Sequence, residues 1–287
     1  MGSALPDIIP ADWSQWSETK PFIIEPLLGG LTNKSFLISA NNTVLVLRIN
    51  SPISAALDLN RVAETQALQL ADSAGLCAGL VYCDPQYQYL VTRHIAGKQW
   101  SLNAEGLVQL AQLLRDIHQL PAITAELDIS AKISSYWGSI GSHHDFVPAL
   151  QSLNTKMQSH IDHAQALSNG RYLCHNDLLV DNLIAADSGK LYAIDWEYTA
   201  MADSFYELAV IVEGHRLDEL QQQHLLSNYL GRAVSDKDWQ RLFHWRLIYG
   251  YLALLWYVVQ LSTGAMTQPG IQQYIQDQIL YLSEQVA

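Results

Sequence analysis

Hydrophobic and polar positions in the first third of the chain follow the patterns of β-strands. Apolar runs rich in Val, Leu and Ile are separated by turn signals, among them Asn41-Asn42 and Asp84-Pro85. Asn60 precedes a stretch of helical period and is a suitable N-cap residue. We therefore predict strands over 22–28, 35–40, 43–49, 80–83 and 88–95, with one helix over 60–74.

Beyond residue 97 the pattern changes to that of helices. A short β-like segment, residues 171–196, interrupts them and includes the turn Asp187-Ser188-Gly189. We expect an α+β protein with a small antiparallel-sheet lobe over 1–96 and a larger, mainly helical lobe over 97–287. A cleft between two such lobes suits a nucleotide. The predicted helices are 107–120, 147–167, 204–214, 217–229, 237–261 and 271–285.

The composition of the chain argues against several classes of function. The 287 residues include 16 Lys and Arg against 28 Asp and Glu, a net charge of −12, which argues against a surface for nucleic acid. Three cysteines cannot form a disulfide framework. The longest apolar stretch, 247–259, is shorter than the roughly 20 residues that span a bilayer. With no basic and apolar leader at the N-terminus, we expect a cytoplasmic protein without a membrane partner.

One segment concentrates residues of chemical interest. His175, Asp177 and Asn182 have the spacing His-x-Asp-x-x-x-x-Asn, and Asp195 follows thirteen residues after Asn182. Phosphoryl transfer requires a carboxylate to orient and deprotonate a hydroxyl, a role that suits Asp177. It also requires oxygen ligands for Mg²⁺, which Asn182 and Asp195 supply.

This motif, following a sheet-rich lobe, resembles the aminoglycoside phosphotransferase and choline kinase superfamily along nearly the whole chain. The resemblance implies a protein-kinase-like fold, ATP as co-substrate, Mg²⁺ as cofactor, and a small-molecule alcohol as phosphoryl acceptor. It also implies that His175 braces the loop while Asp177 performs the proton transfer.

Candidate nucleotide-binding residues lie in the first lobe. The segment from Gly29 and Gly30 through Asn33 to Ser35 resembles the nucleotide-covering loop of choline-kinase-like enzymes, although an ordinary hairpin turn needs no ligand. Arg48 ends an apolar strand, and Glu64 lies on the inward face of the next helix. Their pairing resembles the cation–carboxylate pair that positions ATP phosphates in this fold. A purely structural salt bridge is the alternative.

The segment after Asp195 limits the classes of molecule that could accept the phosphoryl group. Only eight residues, Trp196 to Asp203, separate it from the next helix, which leaves no room for the activation segment of a protein kinase. We therefore expect no protein substrate. The motif Ile-Asp-Trp-Glu-Tyr at residues 194–198 is similar to the metal-binding segment of choline, ethanolamine and bacterial thiamine kinases. The resemblance implies that Glu207 braces the catalytic loop and that Glu197 contacts either metal or substrate.

An aromatic stripe lies on the long helix predicted over 237–261. Trp245, Tyr249, Leu252 and Trp256 share one face and are either core or a wall for a cationic substrate. Thiamine and choline or ethanolamine are the leading acceptors. An aminoglycoside-type antibiotic kinase and a catalytically silent nucleotide-binding protein are the alternatives.

Overall fold

A computed structural model describes residues 8–28, 32–141 and 145–286. Its first lobe is built on a five-stranded antiparallel sheet with the order β1-β2-β3-β5-β4. Asn41 and Asn42 both adopt positive φ, 51° and 60°, at the β2–β3 turn, which is the tight hairpin connection that Asn favours. The strands are β1 (Phe22–Leu27), β2 (Lys34–Ala40), β3 (Thr43–Ile49), β4 (Leu80–Cys83) and β5 (Tyr89–Arg93).

Helix α1 (Arg61–Ser73) crosses behind this sheet. The Asn60 side chain accepts a hydrogen bond from the Ala63 backbone N–H, as expected of an N-cap. The helix buries Ala67, Leu68 and Ala71 in the core, and its first turn directs Glu64 inward, where only 2% of the residue is exposed. The predicted strands and helix of this lobe are therefore present, with ends shifted by one or two residues.

The second lobe is mainly helical. Strand β6 pairs with β8, so the chain joins the second lobe's three-stranded sheet from residue 97. The division after residue 96 stays a prediction. The elements are β6 (Gly97–Gln99), α2 (Ala104–His118), α3 (Ile129–Ile140), α4 (Val147–Leu167), β7 (Tyr172–Cys174), β8 (Leu183–Ala186), β9 (Leu191–Ala193), β10 (Ala200–Ala202), α5 (Ser204–Gly214), α6 (Glu219–Leu230), α7 (Asp236–Ser262) and α8 (Ile271–Gln285).

Helix α3 is an element that the sequence prediction left out. Ile129, Ile133, Tyr136 and Ile140 form its buried face, and Asp128 caps it by accepting from the Ala131 N–H. Its polar face is rich in Ser, which has a neutral to poor helix propensity in helix interiors. The sequence of residues 129–140 therefore predicts a helix only weakly. Packing against α7 supplies the stability that propensity does not.

Helix α7 is the central support of the larger lobe. It packs against α3, α4, α5 and α8, and buries residues such as Tyr251, Leu255 and Val258. By length and hydropathy alone it is the one described helix that could cross a membrane, and 56% of its apolar window is buried inside the protein. This burial makes α7 a core helix of the fold.

Candidate active site

The segment after β7 is held in a sharply bent conformation. Asn176 has φ 64°, and its backbone N–H donates to Glu207 Oε1 at 2.8 Å. His175 is fully buried, donates from Nε2 to the Ile194 carbonyl at 2.9 Å, and lies 4.7 Å from the Trp196 ring. Burial lowers the pKa of His175, so its imidazole is neutral. The structure thus places His175 under the loop, between it and the strand that precedes Asp195.

Asp177 and Asn182 are joined directly. The Asn182 Nδ2 donates to Asp177 Oδ2 and to the Asp177 carbonyl, both at 2.8 Å. The amide nitrogen is therefore committed to Asp177, and the amide oxygen is left for another partner. The short helical turn Val180–Asn182 brings the two residues together across their five-residue spacing.

Asp195 follows β9 and is also in the left-handed region, with φ 62°. Its Oδ1 accepts from Arg48 Nη1 at 2.6 Å, while Arg48 Nη2 pairs with Glu64 Oε1 at 2.5 Å. Arg48 therefore links the first lobe's helix α1 to the second lobe's acidic strand end. The predicted pairing of Arg48 with Glu64 is present, and its extension to Asp195 is an added finding.

A second buried arginine, which the sequence analysis missed, completes the contact between the lobes. Arg61 Nη1 lies 2.9 Å from both Glu64 Oε2 and Glu197 Oε2. Glu197 Oε2 also accepts from Asn33 Nδ2 at 2.7 Å. The i, i+3 spacing of Arg61 and Glu64 was the available signal, but such pairs are common on exposed helix surfaces.

The acidic groups outnumber the cations in this cluster. Burial, together with the charges of Asp195 and Glu197, raises the pKa of Asp177 well above its ordinary range. Burial likewise raises the pKa of Asp195 and of Glu197. Four carboxylates (Glu64, Asp177, Asp195, Glu197) face two guanidiniums (Arg48, Arg61), which leaves an excess of two negative charges when all are ionised. Oxygen donors with this excess charge fit a magnesium ion.

The structure describes only two of the four remaining candidate nucleotide-binding residues. Asn33 is buried between Glu197 and the Ser51 backbone N–H, which donates to its Oδ1 at 3.1 Å. Ser35 is half-buried in β2, directly opposite Arg48 in β3. Gly29 and Gly30 lie outside the described residues.

Four tyrosines of the larger lobe are close enough to Asp177 to be influenced by its charge. Burial, and to a smaller extent the charge of Asp177, raises the pKa of four tyrosines: Tyr136, Tyr198, Tyr206 and Tyr249. The half-buried Trp256 donates from Nε1 to the Tyr198 hydroxyl at 2.7 Å. Trp245 and Leu252 are buried in the core. The predicted stripe on α7 is therefore divided, with Trp245 and Leu252 in the core and Tyr249 and Trp256 near the site.

A buried hydrogen-bond chain lies behind the loop. Glu207 on α5 accepts from Asn176 N–H with one oxygen and from His118 Nε2 with the other, at 2.7 Å. His118 Nδ1 is bonded to the Tyr229 hydroxyl at 2.8 Å, and Cys174 Sγ lies 3.4 Å from Nε2. His118, Cys174 and Glu207 are close enough to suggest a metal centre. However, the His118 and Glu207 atoms already bond within the chain, and burial raises the pKa of Cys174, which keeps it a thiol.

Known proteins with similar sequences come from two groups of bacterial kinases and kinase-like proteins. The chain is 26% identical over 214 residues to protein LicA of Haemophilus influenzae, a match covering 72% of this chain and 62% of that protein. It is 28% identical over 174 residues to the thiamine kinase of Salmonella typhimurium, covering 58% and 57%. The chain thus spans less than two thirds of each relative.

Solved structures agree on the fold. Choline kinase LicA from Streptococcus pneumoniae superposes with a TM-score of 0.78 at 22% identity, over 92% of this chain and 94% of that one. LicA in complex with AMP gives a TM-score of 0.81 at 22% identity, over 99% and 100%. The kinase-like, two-lobed α+β fold predicted from the sequence is confirmed.

The family comparison covers most of the described site. The phosphotransferase enzyme family (APH) matches residues 23–243, which include Asn33, Arg48, Asp177 and Asp195. That match extends over more than half of the chain. The chain therefore belongs to the APH family of phosphotransferase enzymes.

Proposed function

We propose that this phosphotransferase moves the γ-phosphoryl group of ATP to the hydroxyl of a small, cationic metabolite of the choline, ethanolamine or thiamine type. The observation that carries the proposal is the convergence of Asp177, Asn182, Asp195 and Arg48 in one cleft. These are the groups that phosphoryl transfer requires: a base, oxygen ligands for a metal, and a cation for phosphate.

Asp177 is the proposed catalytic base. The Asn182 amide fixes its carboxylate at Oδ2, so that Oδ1 is available to an acceptor hydroxyl. The carboxylate orients the hydroxyl and takes its proton as the new P–O bond forms. The buried chain from Tyr229 through His118 and Glu207 to the Asn176 N–H holds the loop, and therefore Asp177, in place.

Asn182 and Asp195 are the residues that would hold Mg²⁺, through the free amide oxygen of one and the carboxylate of the other. When bound, the ion neutralises charge on the transferring phosphoryl group. The gathering of four carboxyl groups around two guanidiniums in the cleft supports this assignment.

Arg48 is the proposed phosphate-binding cation. Its guanidinium is held by Glu64 from behind, which leaves it aimed at the cleft, where Asp195 is its present partner. Asn33, Ser35, Gly29 and Gly30 are proposed to bind the nucleotide. The similarity to LicA, solved with AMP, supports a nucleotide on this side.

A cationic acceptor is supported by the surroundings of Asp177. Aromatic faces attract ammonium groups by about 0.5–2 kcal/mol each, and Tyr249 and Trp256 are half-buried on α7. The acidic excess favours the same charge. The relatives named as choline kinase and thiamine kinase support the same class of acceptor.

The test is ADP release with Mg²⁺ and ATP over a panel of thiamine, choline, ethanolamine, homoserine and aminoglycosides. We expect acceptor-dependent turnover with one of the cationic alcohols, abolished by Asp177→Asn and retained by Asp181→Asn. Asp181 is exposed on the same turn and accepts from Gln99, which makes it a matched control. Turnover with aminoglycosides alone would assign the chain to the antibiotic kinases. ADP release without any acceptor dependence would contradict the proposal.

A further inference from the structure

The guanidinium of Arg48 has a third partner besides Glu64 and Asp195. Asn50 comes directly after β3, and its Oδ1 accepts from Arg48 Nε at 3.1 Å. The two terminal nitrogens of the same guanidinium meet the carboxylates, Nη1 that of Asp195 and Nη2 that of Glu64. Asn50 is therefore the one uncharged partner in this group of three.

The side chain of Asn50 is itself fixed by the neighbouring turn. Its Nδ2 donates to the Tyr87 carbonyl at 2.7 Å, and its backbone N–H donates to the Gln88 carbonyl at 2.8 Å. A carbonyl can only accept and a guanidinium can only donate. The amide nitrogen of Asn50 must therefore face Tyr87, and its oxygen must face Arg48.

The turn between β4 and β5, residues 84–88, holds the Tyr87 carbonyl in place. Tyr87 has φ 56°, in the left-handed region that a bulky residue rarely occupies. Asp84 fixes the turn twice, since its carbonyl accepts from the Tyr87 N–H and its Oδ2 from the Gln88 N–H, both at 2.8 Å. Such a conformation persists only where the surrounding contacts determine it. A chain of hydrogen bonds thus connects this turn to the Arg48 guanidinium.

Two of the three partners can hold Arg48 while a nucleotide is bound. Asp195 is a proposed metal ligand, so its carboxylate is shared between the ion and Arg48. Glu64 and Asn50 both lie in the first lobe, where they hold Nη2 and Nε. Because a guanidinium is planar, two fixed nitrogens also fix the direction of the third, Nη1.

We propose that Asn50 is a positioning residue for the nucleotide phosphates: held by the β4–β5 turn, it fixes the plane of the Arg48 guanidinium and directs Nη1 into the cleft. The inference rests on the proposed function, in which Arg48 binds phosphate. A donor that is already oriented loses less conformational freedom on binding, so it binds its ligand more tightly. An uncharged amide supplies this orientation without placing a further anion beside the phosphates.

The test is calorimetric titration of ATP, with excess Mg²⁺ and no acceptor, into the full chain. Asn50→Leu is close in size and removes both side-chain hydrogen bonds. We expect it to raise the Kd for ATP about threefold to tenfold, the effect of about one lost hydrogen bond.

Asn41→Ala is the structural control. Asn41 lies in the β2–β3 turn of the same lobe, and its Oδ1 accepts from the Glu18 and Thr19 N–H groups. This variant should lose stability and keep the wild-type Kd for ATP. An equal rise of Kd in both variants would be a general effect of destabilisation and would overturn the proposal.

A double-mutant cycle with Arg48→Ala separates positioning from stability. If Asn50 acts through Arg48, Asn50→Leu should change the Kd for ATP less than twofold in the Arg48→Ala background. The same threefold to tenfold rise in that background would overturn the proposal. The titrations of the single variants remain decisive if the double variant does not fold.

The Arg48→Ala titration also distinguishes this inference from the function on which it rests. Weakened ATP binding in Arg48→Ala, with wild-type binding in Asn50→Leu, would refute the positioning role alone. Wild-type ATP binding in Arg48→Ala would refute the phosphate role of Arg48, and the positioning role with it.

Discussion

Among single residues, Arg48 is a buried cation that is paired with two carboxylates. It is 6% exposed and pairs at once with Glu64 and Asp195, so its removal leaves Asp195 without its cation and the buried Glu64 with Arg61 alone. Breaking a buried pair in this way costs about 3–5 kcal/mol. The same guanidinium is the proposed phosphate ligand, so two separable effects are expected.

We expect Arg48→Ala to lower the free energy of unfolding by about 3–5 kcal/mol and also to raise KM for ATP and lower kcat. Denaturant unfolding and steady-state kinetics at a temperature where the variant is folded measure the two effects. Glu64→Ala should change KM for ATP in the same direction, but less. Unaltered ATP kinetics in a destabilised Arg48→Ala would favour a purely structural salt bridge.

Asp177→Asn tests the base. The change is nearly isosteric and preserves an oxygen for the Asn182 amide, so fold and ATP affinity should survive. The amide cannot take a proton, and kcat should fall about 10²–10⁴-fold with little change in KM for ATP. Near-normal kcat in this variant would refute the assignment of the base, and Asp181→Asn gives the baseline.

Sequence spacing predicted the candidate site residues that lie on one stretch of chain. His175, Asp177, Asn182 and Asp195 follow a fixed pattern because a short turn and a hairpin bring them together locally. Arg61 escaped notice because its role depends on Glu197, 136 residues away. A single sequence gives no sign of such a distant contact. The inward orientation of Glu64, by contrast, could be predicted from the helical period of the apolar residues in α1.

At the scale of elements, the start of α7 is fixed by charge. Asp238 accepts from Ser235 and from both guanidinium nitrogens of Arg232, and the Ser235 side chain in turn caps the helix. Hydrogen bonding from Arg232 is the main cause that holds the pKa of Asp238 well below its ordinary value. The folded pKa is thus below the unfolded one, near 3.9.

The lowered pKa of Asp238 predicts how the stability of the protein depends on pH. The contribution of Asp238 is fully present above about pH 4 and is lost as the pH falls through the lower, folded pKa. Asp238→Asn should therefore destabilise the protein at pH 7 by about 0.5–2 kcal/mol, the range for a lost helix cap, and by less as the pH falls below 4. Unfolding of wild type and variant at several pH values measures it. Asp236→Asn, exposed in the same first turn, is the control, and an equal loss in both variants would contradict the specific role of Asp238.

Element prediction succeeded where the period was strong and failed where tertiary packing decides. The range predicted for α8 was reproduced to the residue, and α7 differed by one residue at each end. Helix α3 was missed because its polar face is rich in Ser, a weak helix former, and the helix packs its apolar face against α7. Strand β6 was missed because three residues, Gly97–Gln99, are too few to show alternation.

At the scale of the whole molecule, the two lobes are connected by polar contacts across the cleft. Arg61 and Asn33 from the first lobe meet Glu197 of the second. The Lys132 ammonium of α3 reaches back to the Leu57 and Asp58 carbonyls at 3.0 and 2.7 Å. The cleft geometry therefore depends on buried charge pairs between the lobes.

We expect a double-mutant cycle on Arg61→Met and Glu197→Gln to give a coupling energy of about 0.5–3 kcal/mol in unfolding. Each single variant removes one charge of the pair, while Arg61 keeps Glu64 and Glu197 keeps the Asn33 amide as partners, so the double variant should lose less than the sum of the two. Chemical denaturation measures all four corners of the cycle. Strictly additive losses would mean that the pair does not connect the lobes energetically.

Transfer of a phosphoryl group from ATP to a small cationic alcohol is the proposed reaction, and it can be observed directly. The measurement is ³¹P nuclear magnetic resonance of the wild-type protein with Mg²⁺, ATP and the acceptor chosen by the ADP-release panel. We expect a new phosphomonoester signal that grows in step with ADP and is absent with Asp177→Asn. Formation of inorganic phosphate alone, or of no product with any cationic alcohol, would contradict it.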